Sequence, residues 1–143
     1  MAEHNVTGQK GEQLAADIMT QKGYKILETN WKLGRMEIDI IAANKKEIVF
    51  VEVKTRTSML GGTPEEAVDE AKKRRMVASA NAYLKYHQEK RELRFDIIGI
   101  LMNKSGEIEQ ISHFENAFTP NLKTINPSSY SGQWRWPHSN KKR

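Results

Sequence analysis

The sequence predicts one α/β domain whose elements follow the order αβββαββ. Three observations lead there: two segments repeat their apolar residues at helical spacing, five shorter runs are rich in valine, isoleucine and aromatic residues, and turns carrying glycine or asparagine separate them. A chain of 143 residues is long enough for one compact domain and too short for two of ordinary size.

The first helix is expected over Thr7–Lys22, where Gly11, Leu14, Ala15 and Ile18 fall at helical spacing and Gly23 stands where helices commonly stop. Tyr24–Trp31 reads as a strand, followed by the turn Lys32-Leu33-Gly34-Arg35. Met36–Ala42 and Ile48–Thr55 read as two more strands, and the polar turn Asn44-Lys45-Lys46-Glu47 joins them into a hairpin. After a loop over Arg56–Gly62, Thr63-Pro64-Glu65-Glu66 has the form of a helix start: Thr63 caps, Pro64 suits the first helical position and Glu66 completes a capping box. That helix is expected to reach about Tyr86, with Val68, Lys72, Met76, Ser79 or Ala80, and Tyr83 on one stripe, so Lys72 points toward the sheet. Arg94–Met102 is a strongly apolar strand, Ser105-Gly106 a turn, and Ile108–Phe114 a shorter strand suited to an edge. From Asn116 onward the periodicity fails; the domain is expected over 1–119 and a polar, partly disordered basic tail over 120–143.

Composition narrows the function classes. No apolar run approaches the ~20 residues that cross a bilayer, and Met1–Gly8 lacks the apolar region of a secretory signal, so a cytoplasmic protein without a membrane partner is expected. With no cysteine, any metal site must use oxygen or imidazole ligands. His4, His87, His113 and His138 do not have metal-ligand spacing, which leaves the carboxylates. The net charge of +5 suggests an anionic partner, but Lys123, Arg135, Lys141, Lys142 and Arg143 against Glu115 place +4 of it beyond residue 114. Nucleic-acid binding by the domain body must therefore come from local patches.

Strand alternation puts Glu37, Asp39 and Ile41 on one face of the second strand and Ile38, Ile40 and Ala42 on the other. In the third strand Phe50, Glu52 and Lys54 lie opposite Val49, Val51 and Val53. A turn centred between Lys45 and Lys46 pairs Ile40 with Val51 and Ile38 with Val53, which matches the apolar faces. The same register sets Asp39 across from Glu52 and Glu37 across from Lys54, with Cβ atoms roughly 4.5–5.5 Å apart. Two facing carboxylates need a proton, a basic side chain or a cation, and oxygen ligands so placed suit magnesium or manganese. A solvated, ion-paired hairpin face is the alternative.

Asp39 followed by Glu52-Val53-Lys54 resembles the D-(x)n-E-x-K signature of the PD-(D/E)XK phosphodiesterases. The surrounding words Gly11-Glu12-Gln13-Leu14-Ala15-Ala16, Met36-Glu37-Ile38-Asp39-Ile40-Ile41-Ala42, Val49-Phe50-Val51-Glu52-Val53-Lys54-Thr55-Arg56 and Arg94-Phe95-Asp96-Ile97-Ile98 resemble the bacterial YraN-like family, over roughly residues 8–119. That family is similar in pattern to archaeal Holliday-junction resolvases. It usually has glycine where this chain has Met36.

The resemblance implies a restriction-endonuclease-like core, a central mixed sheet flanked by helices. It further implies Mg2+ or Mn2+ held by Glu12, Asp39 and Glu52, with Lys54 stabilising the transition state. As a first-turn acid, Glu12 also suits a helix start, whatever it binds. Hydrolysis of DNA phosphodiester bonds follows, DNA rather than RNA, with branched or flapped structures as candidate substrates and a homodimer as a candidate assembly. Arg56 and Lys72 are placed for phosphate contact and Lys73 is a further candidate, although Lys73, Arg74 and Arg75 diverge around the helix as a solvated face does. Two other functions stay open: a nucleic-acid-binding module without turnover, and a partner-binding scaffold with a structural acidic face.

Overall fold

The computed structural model describes residues 2–57 and 67–120. Its elements are α1 (Ala2–Gln21), β1 (Lys25–Leu33), β2 (Met36–Ala43), β3 (Glu47–Arg56), α2 (Glu70–Tyr86), β4 (Glu92–Met102) and β5 (Ile108–Phe114). The five strands form one sheet in chain order. The pairs β1–β2, β2–β3 and β4–β5 are antiparallel, as short turns allow, whereas β3–β4 is parallel. A parallel pair requires a long crossover, and the segment carrying α2 supplies it.

Each face of the sheet carries its own core. On one, Ala15 and Met19 of α1 pack against Ile40, Ala42, Val49, Val51, Ile98 and Ile100. On the other, Met76, Val77, Ala80, Tyr83 and Leu84 of α2 pack against Ile38, Ile41, Ile48, Phe50, Phe95 and Ile97. Coverage on both sides explains why β4 is buried from Leu93 to Ile100 and is apolar there apart from the ion-paired Arg94 and Asp96. Among the described residues no helix is long and apolar enough to cross a membrane.

The hairpin has the register expected from its valines and isoleucines: Ile40 pairs with Val51, Ile41 with Phe50, Ala42 with Val49 and Ala43 with Ile48. Asn44 closes the turn, its side-chain oxygen accepting from the backbone N–H of Lys46 at 2.9 Å and of Glu47 at 2.8 Å. Beyond Ile40 and Val51 the ladder stops, so the expected pairs Asp39–Glu52, Ile38–Val53 and Glu37–Lys54 are not rungs of it. Strict alternation along β2 also fails at Asp39, because Ile38 packs into the α2-side core while Ile40 packs into the α1-side core. The neighbouring strand is irregular at the same level. Asn30 has a φ of 51°, and the β1–β2 pairing passes from Thr29–Ile40 to Trp31–Ile38 without a rung between.

The second helix starts later than expected. Ala67 and Val68 form a turn and a bend, and Asp69, in extended conformation, caps α2 by accepting from the Lys72 N–H at 2.9 Å. The capping box proposed at Thr63–Glu66 lies outside the described residues, as does the tail over 121–143 with Trp134, Trp136 and His138.

Candidate functional site

Where β2 and β3 part, Asp39 turns into the gap and accepts a hydrogen bond from the Val53 N–H at 2.8 Å. The carboxylate thus replaces a missing rung, and it meets Glu52 side chain to side chain, the two hydrogen-bonding each other. Glu52 is only 4% exposed. Burial and then the negative charge of Asp39 push the Glu52 carboxyl up to about 7, against the pull of Lys72 and Lys54. Burial raises Asp39 as well, opposed by the Val53 N–H, Lys72 and the hydrogen bond from Glu52. The pair therefore shares a proton near neutrality, carried on Glu52.

The α1 side adds a second pair of acids. Gly11 packs on β3 so closely that a Cβ there would collide with the Thr55 hydroxyl and sit 3.1 Å from Thr55 Cβ. The missing side chain lets the middle of α1 lie close on the sheet and carries Glu12, which is mid-helix and not in the first turn as expected, into the field of Asp39. Burial first and Asp39 second raise the Glu12 carboxyl, while a hydrogen bond from Asn30 lowers it. The Asn30 amide nitrogen donates to Glu12 Oε1 and to Glu37 Oε2, each at 3.1 Å. Asn30 was not foreseen as a site residue. Its one signal was an asparagine, a residue that tolerates left-handed backbone, inside an otherwise strand-like run.

The cations divide. Lys54 is half-buried, and its charge bears on Glu52. Lys72, on the sheet-facing stripe of α2 as expected, places Nζ 3.4 Å from Glu52 Oε2. Lys73 is engaged elsewhere, 3.5 Å from Glu70 Oε2 and 5.5 Å above the Phe118 ring. Arg56 is half-buried at the end of β3, and Arg74 and Arg75 are exposed. Asp39 and Glu52 are thus brought together, and Glu12 joins through Asp39. Among the described residues no three acidic or imidazole side chains converge as a ready metal cage.

A separate ionic cluster lies near the starts of β3 and β4. Arg94 donates to both oxygens of the fully buried Asp96, at 2.9 Å each, and to Glu47 at 2.9 Å. Asp96 also accepts from the Asn116 N–H at 2.9 Å and lies 2.7 Å from His113 Nε2. Every Asp96 oxygen is satisfied from the chain itself, which makes this a structural network. Lys22 sits 2.7 Å from His113 Nδ1, and the His87 ring lies 4.1 Å from that of Tyr83. Neither histidine touches the carboxylate pair.

Fold and site together define an α/β protein with a five-stranded mixed sheet, one helix core on each face, and a carboxylate pair, Glu52 buried and Asp39 half-buried, where two central strands separate. The chain belongs to the family described as Uncharacterised protein family UPF0102, whose model matches residues 11–100. That span includes Glu12, Asn30, Glu37, Asp39, Glu52, Lys54 and Lys72. The chain is 43% identical to a UPF0102 protein of Porphyromonas gingivalis over 123 residues, 86% of this chain and 91% of the relative. It is 45% identical to a UPF0102 protein of Bacteroides thetaiotaomicron, covering 85% and 99% of the two chains, and 45% identical to UPF0102 protein FP2501 of Flavobacterium psychrophilum, covering 82% and 98%.

Proposed function

We propose that this protein is a metal-dependent endonuclease with a restriction-endonuclease-like core that hydrolyses DNA phosphodiester bonds. The observation that supports it is the Asp39–Glu52 pair: one half-buried and one buried carboxyl, hydrogen-bonded to each other, with a proton retained to near neutrality. Such a pair is costly to maintain for structure alone, and its oxygens suit a hard divalent cation. Magnesium is commonly held by one or two carboxylates, with water and substrate phosphate completing the shell, so a three-carboxylate cage is not required. Asp39 and Glu52 would hold Mg2+ or Mn2+, with Glu12 steered toward them by Asn30.

The cation, when bound, lowers the pKa of a coordinated water and offsets charge on the phosphoryl oxygens. The chain's own groups do the rest. Hydrolysis joins a water oxygen to phosphorus and expels a deoxyribose oxygen, and negative charge builds on the non-bridging oxygens. The Lys54 ammonium, whose charge bears on Glu52, would stabilise that charge. Arg56 follows on the same strand and would contact the flanking backbone, an interaction that gives affinity without sequence choice and weakens with salt. The Val53 N–H fixes the Asp39 carboxylate in one orientation, which limits reorganisation when a cation arrives.

A panel of four-way junction, flapped, duplex and single-stranded DNAs, incubated with Mg2+ or Mn2+, tests this. Cleavage of at least one member is expected, with loss in Asp39→Asn; equal cleavage by parent and variant would remove the site. A site in which no three acidic or imidazole side chains converge among the described residues favours one second reading, a nucleic-acid-binding module without turnover. Tight binding with no cut by either metal across several pH values would establish it.

A further inference from the structure

We infer that Lys72 is an exchangeable counter-ion: it balances the negative charge of the Asp39–Glu52 pair when no metal is bound and passes to a nucleic-acid phosphate when a divalent cation takes its place. Metal and nucleic acid would then bind cooperatively through one side chain. The inference rests on the proposed phosphodiesterase reading and adds to it a coupling between its two ligands.

The contrast between two ion pairs of this protein carries the argument. Arg94 grips Asp96 through two nitrogens at 2.9 Å each, with Asp96 wholly buried, and that pair is locked. Lys72 makes a single contact with Glu52 at 3.4 Å, longer than the roughly 2.7–2.9 Å of a well-formed charge-assisted hydrogen bond. The Glu52 side chain is 5% exposed, whereas that of Lys72 is 31% exposed. The buried carboxylate therefore cannot follow the ammonium outward, but the ammonium can leave by rotation of a flexible four-carbon stem.

Its backbone stays in place meanwhile. Lys72 sits in the first turn of α2 with its N–H held by the Asp69 cap, and Met76, one turn on, is buried in the core. A divalent cation held by Asp39 and Glu52 would repel the ammonium from the Glu52 oxygen it now faces. Displaced, Lys72 would swing toward solvent from the rim of the site, where a bound phosphate would be its natural acceptor. Linkage is reciprocal, so whatever draws Lys72 away raises metal affinity by the factor with which metal raises affinity for that acceptor.

Calorimetric titration of Mn2+ into the full chain tests this, with and without a saturating single-stranded DNA oligonucleotide of phosphorothioate linkages that resist hydrolysis. In the parent, the oligonucleotide should tighten Mn2+ binding about five- to tenfold. Lys72→Gln should bind Mn2+ alone roughly fivefold tighter than the parent, show less than about twofold further gain from DNA, and lower the slope of log affinity for DNA against log salt by about one. Lys72→Arg, which keeps the charge, should behave like the parent in Mn2+ alone, and equal thermal midpoints would show that the variants fold. Parental or weaker Mn2+ affinity in Lys72→Gln, or full retention of the DNA effect, would overturn the exchange. If the parent binds no Mn2+, or Asp39→Asn binds it equally well, the proposed function itself fails; if both behave as expected and only Lys72→Gln does not, the exchange alone fails.

Discussion

Replacing Glu52 with glutamine keeps the shape of the buried side chain and removes its titration, which isolates one term in the pH dependence of stability. In the folded, metal-free protein this carboxyl is raised from its ordinary 4.5 to about 7, chiefly by burial and by Asp39. Between those values the native state holds more protons than the unfolded chain, so stability falls as pH rises, and the loss is complete above about 7. The full shift corresponds to roughly 3 kcal/mol, a large share of the ~5–15 kcal/mol that holds most domains folded. Glutamine also gives up the contact with Lys72, worth about 1 kcal/mol or less because the lysine is partly solvated. Urea unfolding in a chelator at pH 5, 6, 7 and 8 should therefore show the parent losing on the order of 2–3 kcal/mol relative to Glu52→Gln across that range. At pH 8 the variant should be at least as stable as the parent. Parallel pH profiles would refute the claim that Glu52 retains its proton through contact with Asp39.

Gly11→Ala should destabilise the protein by about 1–3 kcal/mol, read as a lowered thermal midpoint, because a methyl group there meets Thr55 and pushes the middle of α1 away from the sheet. The same displacement carries Glu12 away from Asp39, so Mn2+ affinity should fall as well. Arg94→Ala should cost about 3–5 kcal/mol in urea unfolding, because it leaves the fully buried Asp96 without its two-pronged partner. Mn2+ binding at Asp39 and Glu52 should survive that substitution wherever the variant remains folded.

What was legible in the sequence depended on whether the information was periodic. The alternation of valines and isoleucines selects the register of Ile40 with Val51, since a slip by one residue would turn every side chain to the wrong face. That register alone brings the neighbourhoods of Asp39 and Glu52 together. The stripe of Val68, Lys72 and Met76 likewise aims Lys72 at the sheet before any contact is known. Local signals fared less well. The strong capping pattern at Thr63–Glu66 competes with a simpler cap at Asp69, and the backbone of Ala67–Asp69 shows the second in use for α2.

The least legible feature is the one on which the proposed chemistry would depend, because it breaks the pattern that made the rest readable. A regular hairpin would have left Asp39 and Glu52 as cross-strand neighbours on an open face, free to spread into water. Instead the ladder ends at Ile40 and Val51, Asp39 takes the Val53 N–H in place of a strand partner, and Ile38 moves to the opposite core. A period-two pattern has no symbol for such a step, and the left-handed backbone of Asn30 beside it leaves only one asparagine in a strand as its trace. The irregularity turns Asp39 onto the Val53 N–H, with the buried Glu52 beside it. Nearness of two acids came from strand register, whereas the burial of Glu52 and the proton the two share come from the place where that register is abandoned.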